Sequence, residues 1–150
     1  MWVKAPVWHS LNDVVGKNTE AQSTGDIRVC SDCAAFDVYA DPLFEKVFYN
    51  LIDNALKYGG VNLTTIRFSC CESGEGLHII CEDDGGGIPV EEKKHLFERG
   101  YGKNTGLGLF LSREILAITG ISIAETSEPG RGARFEIHVP PGAYRPAAGS

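Results

Sequence analysis

The 150-residue chain has no apolar run near the roughly 20 residues that cross a bilayer, so no transmembrane helix is expected. Its opening stretch, MWVKAPVWHS, lacks the apolar core of a signal peptide, which makes a cytoplasmic chain the default. Positive charge is also scarce. Fourteen Lys and Arg face twenty Asp and Glu, a formal net charge of −6, and a general nucleic-acid binder would need a basic face instead. A few placed cations would still serve a small phosphate ligand. Cysteine is sparse at five residues, and without an export signal all are expected to be reduced thiols. Cys30 and Cys33 have C-x-x-C spacing, but no second pair and no paired histidines complete a zinc shell. Cys70 and Cys71 adjoin in a predicted strand and therefore point to opposite faces. Neither G-x-x-x-x-G-K-[ST] nor G-x-G-x-x-G occurs, so the common phosphate loops are absent.

What remains is an ordinary globular composition, 43% apolar and 23% charged, at a length that suits one domain. Residues 7–19 carry Trp8, Leu11 and Val15 at helical spacing and predict a weakly amphipathic helix. IRVC and FDVYA predict two short strands around a turn. DPLFEKVFYNLIDNALKYGG predicts a long helix. Asp41 is its N-cap, Pro42 its first residue and Gly59–Gly60 its stop, with an apolar stripe at Phe44, Val47, Phe48, Leu51 and Ala55. LTTIRFSCC and LHIICED predict a hairpin, VEEKKHLF a short helix, and GLGLFLSREILAITG a longer one, apolar at Leu109, Ile115, Leu116 and Ile118. ISIAETS and ARFEIHVP predict a final hairpin, followed by a flexible tail. The expected architecture is an α/β (α+β) two-layer sandwich, a mixed and mainly antiparallel sheet with three to four helices on one face.

Three segments carry chemistry. On the long helix Asn50, Asn54, Lys57 and Tyr58 share one sector beside the apolar stripe. A neutral amide oxygen there suits Mg²⁺ that keeps its waters and phosphate contacts, although two asparagines could equally satisfy nearby backbone. In GKNTGLGLFLS, Gly106 and Gly108 stand where a helix begins and its free N–H groups could meet an anion, or they simply lead into a helix. DDGGGIP sets two acids against three glycines at the end of a strand. No calcium loop fits its spacing, and carboxylates repel phosphate. Asp83 therefore suits the amine of a purine, with Gly85 and Gly87 lying against the base and Ile88 walling it, while a tight surface turn is the plainer alternative.

Together, NLIDNALKY, DDGGGI, HLFERGYG and TGLGLFLS resemble, in order, the asparagine, first glycine, phenylalanine and second glycine boxes of sensor histidine kinases. Their ATP-binding catalytic domain has the Bergerat fold, shared with DNA gyrase, MutL and the ninety-kilodalton chaperones. The resemblance implies that Asn54 ligates Mg²⁺ and Asn50 supports the phosphates, with Lys57 reaching phosphate and Tyr58 flanking base or ribose. It assigns Asp83 to the adenine amine and Gly85, Gly87 and Ile88 to the base pocket. Thr105, Gly106, Leu107, Gly108 and Leu109 would line the phosphate side. Phe97 would anchor a lid whose Arg99 and Lys103 supply cations.

The chain departs from the family in three places. Asp84 replaces the usual Asn, Ala133 replaces a usual Thr or Ser, and the lid between Phe97 and Thr105 is short, in the style of archaeal sensor kinases. ATP-hydrolysing relatives carry a water-activating Glu where Asn50 stands, so the resemblance implies phosphoryl transfer to protein, with Asn50 and Lys57 as the catalytic pair. None of His9, His78, His95 or His138 lies in an acceptor box, and all four read as structural or surface residues. The expected partners are therefore ATP, a histidine-bearing dimerisation domain of the same parent chain and a downstream response regulator, with no nucleic acid and no membrane contact. The expected organisation is residues 1–22 as a helix following a missing dimerisation region, 23–141 as the ATP-binding domain and 142–150 as the tail. Two rivals share parts of this pattern: a stand-alone anti-sigma-type serine kinase, and a partner-binding module without nucleotide.

Overall fold

The computed structural model describes residues 4–21, 25–33, 35–99, 108–128 and 130–147. In chain order the elements are β1 (Val7–Ser10), α1 (Leu11–Ala21), β2 (Arg28–Ser31), β3 (Phe36–Ala40), α2 (Phe44–Tyr58), β4 (Thr65–Ser73) and β5 (Gly76–Asp83). They continue with α3 (Val90–Lys93), α4 (Gly108–Ala117), β6 (Ser122–Glu125), β7 (Arg134–Val139) and β8 (Tyr144–Pro146). A five-stranded sheet runs β2-β4-β5-β7-β6, and a three-stranded sheet runs β1-β3-β8. All pairings are antiparallel except β2 with β4. The expected mixed, mainly antiparallel α/β sandwich is the observed fold.

Alternation along β5 sets the layers. Leu77, Ile79 and Cys81 are buried while His78, Ile80 and Glu82 are less so, so the first set faces the helices. Register places Phe135, Ile137 and Val139 of β7 and Phe68 of β4 on the same inner face. Against it lies the stripe of α2, Phe44, Val47, Phe48, Leu51, Ile52 and Ala55, as its spacing predicted. The rings of Phe44 and Phe48 are 5.1 Å apart, and those of Phe48 and Phe68 5.5 Å, so an aromatic column joins helix to sheet. The same burial pushes the Cys81 thiol far up, which leaves it a packing residue. The outer face carries polar contacts instead, His78 Nδ1 to Glu136 at 3.2 Å and the Arg134–Glu136 ion pair at 3.7 Å.

Several local expectations are corrected. Residues 7–10 are strand, not helix: Ser10 Oγ accepts the N–H of Asp13, capping α1 so that the helix starts after it. Trp8, counted in the helical stripe, stands on β1 against Tyr39 and beneath the Arg145 guanidinium, 4.0 Å from its ring. α1 buries Leu11, Val14 and Val15 instead. IRVC and FDVYA do form β2 and β3, but they pair in different sheets. α2 begins at Phe44, two residues later than expected; Asp41 Oδ2 accepts from Leu43 N at 2.9 Å and closes a turn before the helix. Ile118 is 57% exposed, outside the apolar stripe of α4. Tyr144–Pro146, placed within the tail, form β8 against β3.

The thiols also differ from expectation. Cys33 and Cys70 form a disulfide across 37 residues, tying the segment after β2 to β4, while Cys30, Cys71 and Cys81 are free. Cys30 and Cys33 thus do not act as a C-x-x-C pair. β2 runs alongside β4, and that parallel register, continued past Ser31 and Phe68, brings Cys70 to Cys33. No helix among the described residues is long and apolar enough to cross a membrane.

Candidate functional site

The period of β5 carries straight into the site. Asp83 continues the inward series Leu77, Ile79, Cys81, so its carboxylate points toward the helix layer at the strand's end. There it meets the last turns of α2. Asn54, Ala55, Tyr58 and Gly59 from α2 and its end, Asp83, Gly87 and Ile88 from the glycine turn, and Ala133 before β7 line one pocket. Asp83 Oδ1 accepts the N–H of Gly85 at 2.9 Å and of Ala133 at 3.3 Å. Among the described residues Oδ2 has no hydrogen-bond partner. Burial raises the Asp83 pKa first of all; the two N–H groups pull it back, and Asp84 and Glu125 add to the rise. A desolvated acceptor oxygen beside the apolar walls of Ile88 and Ala133 can hold a donor on a flat heteroaromatic ring.

The three glycines have a reason other than the expected one. A Cβ on Gly85 would stand 2.6 Å from the Cα and O of Gly59, and Gly86 N donates to Gly59 O at 2.8 Å. Gly85 therefore packs backbone against the end of α2, and it does not line the pocket. Gly87 has φ +80 and its Cβ would meet Gly132 O at 3.1 Å, so it lies against the turn before β7 while also lining the pocket. The turn is a seam of main chains that places Asp83, rather than a cradle for the base alone.

Asp84, which stands where the family usually has Asn, turns to Thr64 and Thr65. Its carboxylate accepts from Thr64 N at 2.8 Å and Thr65 N at 2.9 Å, and from the Thr64 hydroxyl. The Thr64 hydroxyl and these two N–H groups hold its pKa down to about 2 from 3.8. A carboxylate depressed on folding lends stability above its ordinary pKa, and the contribution is lost as pH falls through the folded value. Asp84→Asn should thus lower the urea midpoint at neutral pH and lose its disadvantage in acid, as the parent passes from pH 3.8 toward about 2. Parallel urea titrations of the two proteins at neutral and acid pH check this. A constant gap between the curves would refute it.

Of the remaining predicted residues, Lys57 is drawn to Asp53 at 2.8 Å, one turn back on its own helix, rather than into the pocket. Asn54 is half-buried, and its amide has no hydrogen-bond partner among the described residues. Asn50 Nδ2 donates to Gly108 O and to Ser112 Oγ, both at 3.0 Å, so it joins α2 to the start of α4. Leu109 is core, 8% exposed. Phe97 packs edge-on to Phe135 at 6.3 Å with Arg113 over its ring, and Arg99 lies over Phe110. Neither Phe97 nor Arg99 lines the pocket. Lys103, Thr105, Gly106 and Leu107 lie outside the described residues. His9 Nε2 bonds the carbonyls of Ala40 and Asp41, a structural role as expected.

Sequence reasoning missed Ser112 and the anchor of α3. Lys93 reaches Glu125 at 3.3 Å and the Ser127 carbonyl at 2.6 Å, fastening that short helix to the end of β6. No spacing signal links residues so far apart in the chain.

Known proteins resemble this chain in sequence and fold. The Escherichia coli K12 sensor protein KdpD is 30% identical over 144 residues, 89% of this chain and 16% of that protein. The alginate biosynthesis sensor protein KinB of Pseudomonas aeruginosa is 38% identical over 101 residues, 64% of this chain and 17% of that protein. The chain therefore spans less than a fifth of the length of either relative. Among solved structures, the nucleotide-free catalytic domain of the histidine kinase ThkA superposes with a TM-score of 0.75 at 23% identity, covering 91% of this chain and 98% of that one. The ATP-binding domain of PrrB from Mycobacterium tuberculosis gives 0.73 at 25% identity, with the same coverage of 91% and 98%. Residues 40–143 match the family described as histidine kinase-, DNA gyrase B-, and HSP90-like ATPase, and the chain belongs to that family.

Proposed function

We propose that this chain is the ATP-binding catalytic domain of a cytoplasmic two-component sensor histidine kinase. In this reading it binds Mg-ATP and passes the γ-phosphoryl group to a histidine on a separate dimerisation domain, from which a response regulator is served. The observation that carries the reading is Asp83 Oδ2, without a hydrogen-bond partner among the described residues, in a pocket also lined by Ile88 and Ala133. An adenine amine supplies the donor that this oxygen lacks.

The residues at the other end fit the rest of the nucleotide. Asn54 lines the pocket with an amide uncommitted among the described residues, and an amide oxygen is a hard neutral ligand for magnesium. The metal, when bound, would neutralise phosphate charge. Asn50 cannot abstract a proton, and its amide is held against Gly108, so water is not activated from this position. Asp83 orients the base, Tyr58 flanks it from α2, and the rate comes from position and charge. The relatives named above are sensor proteins, which favours this reading over an anti-sigma-type kinase or a module without nucleotide.

Calorimetry with ATP and GTP tests it directly. Guanine presents a carbonyl where adenine presents its amine, so two acceptors would face each other at Asp83. GTP should bind roughly tenfold weaker or worse. Equal affinities would remove the base assignment. For the metal, Asn54→Asp should shift the Mg²⁺ dependence of ATP binding while leaving the preference for ATP over GTP intact. A magnesium titration that overlays the parent's would take Asn54 out of the metal site.

A further inference from the structure

Ser112 lies on the second turn of α4 with 0% exposure, on a helix face otherwise apolar. A hydroxyl so buried is costly unless bonded, and this one makes two bonds. Its Oγ donates to Gly108 O at 2.8 Å and accepts from Asn50 Nδ2 at 3.0 Å. Asn50 Nδ2 also donates to Gly108 O at 3.0 Å, which closes a triangle between α2 and α4. Gly108 O can only accept, so the nitrogen and not the oxygen of the Asn50 amide must face it. Both Nδ2 hydrogens are thereby used, and Oδ1 is the one atom of that amide left for a ligand. A Cβ on Gly108 would sit 3.7 Å from Asn50 Cγ and 3.8 Å from Oδ1, so the two residues are in close contact along this seam.

We infer that Ser112 is a positioning residue for the phosphate end of the site, acting through Asn50. It holds the amide against the first turn of α4 in the orientation that offers Oδ1. Without the hydroxyl, one Nδ2 hydrogen has no acceptor and the side chain is free to turn. The inference rests on the nucleotide reading above and gives a role to Ser112, the last residue of TGLGLFLS, to which the motif resemblance assigned none.

The test compares Mg-ATP with adenosine, which shares the base but lacks the phosphates, by calorimetry on the whole chain. Ser112→Ala fits the same space on a helix and should fold. It should weaken Mg-ATP about fivefold while adenosine stays within about twofold, since one hydrogen bond to an oriented amide is at stake. A double variant with Asn50→Ala should bind Mg-ATP no more weakly than Asn50→Ala alone, because the hydroxyl acts only through that amide. Equal weakening of adenosine, unchanged Mg-ATP affinity, or losses that multiply in the double variant would each overturn the inference. A parent that binds neither ligand would instead overturn the nucleotide reading, and the inference with it.

Discussion

Asp83→Ala is expected to weaken ATP binding by roughly 1.5–3 kcal/mol, tenfold or more, because it removes a charge-assisted bond to the base. Asp83→Asn gives the sharper result. The N–H groups of Gly85 and Ala133 both point at Oδ1, so an amide introduced there must keep its oxygen toward them. Its NH₂ then replaces Oδ2 and meets the adenine amine donor to donor. Affinity for ATP should fall about as far as in the alanine variant, with the overall fold retained. Affinity for GTP should rise relative to ATP, since the new donor can serve the guanine carbonyl. Calorimetry on the parent and both variants reads all of this. ATP affinity surviving in folded Asp83→Asn would show that no base amine sits at this oxygen.

The second large effect concerns the main-chain seam. Gly132 has φ +77, and a Cβ on it would stand 2.1 Å from Asp83 O and 3.2 Å from Asp83 Oδ1. Alanine there meets a left-handed backbone and overlaps a carbonyl fixed in the sheet, because Asp83 N donates to Ala133 O at 3.0 Å. Gly132→Ala should cost roughly 3 kcal/mol or more, a fall of about 6–12 °C in thermal midpoint for a chain this long. ATP affinity should fall with it, since Asp83 must shift to make room. Gly142→Ala is the control. Its φ of +91 brings the same backbone strain, but its Cβ would meet nothing within 4 Å. Its cost should be about 1–2 kcal/mol, with binding unchanged. Equal melting temperatures for the two variants would mean that the close approach at Gly132 relaxes without consequence.

These two residues show why the site was only partly legible. Asp83 could be read in advance because strand period and polarity are local: an acid continuing an apolar inward series announces itself. Ile88, Asn54 and Tyr58 follow from the same kind of local spacing, and the structure brings them to one pocket with Asp83. Gly85 was assigned to the base because a sequence records flexibility but not what presses on it, and the end of α2 is what presses. Lys57 carried a plausible charge, but its nearest partner, Asp53, sits one turn away on the same helix.

The buried stripe of α2, the two hairpins β4–β5 and β6–β7, and the inward place of Asp83 at the end of its strand were determined by the sequence alone. Each depends on residues within a turn or a strand pair of one another, where periodicity is a direct record of which face meets water. Tertiary structure alone decided that β2 and β3 part into different sheets, that Cys33 finds Cys70, that Asp84 turns outward, and that Ser112 meets Asn50 across 62 positions. Those contacts join segments far apart in the chain, and nothing in local spacing records a partner that only the packing of layers brings near.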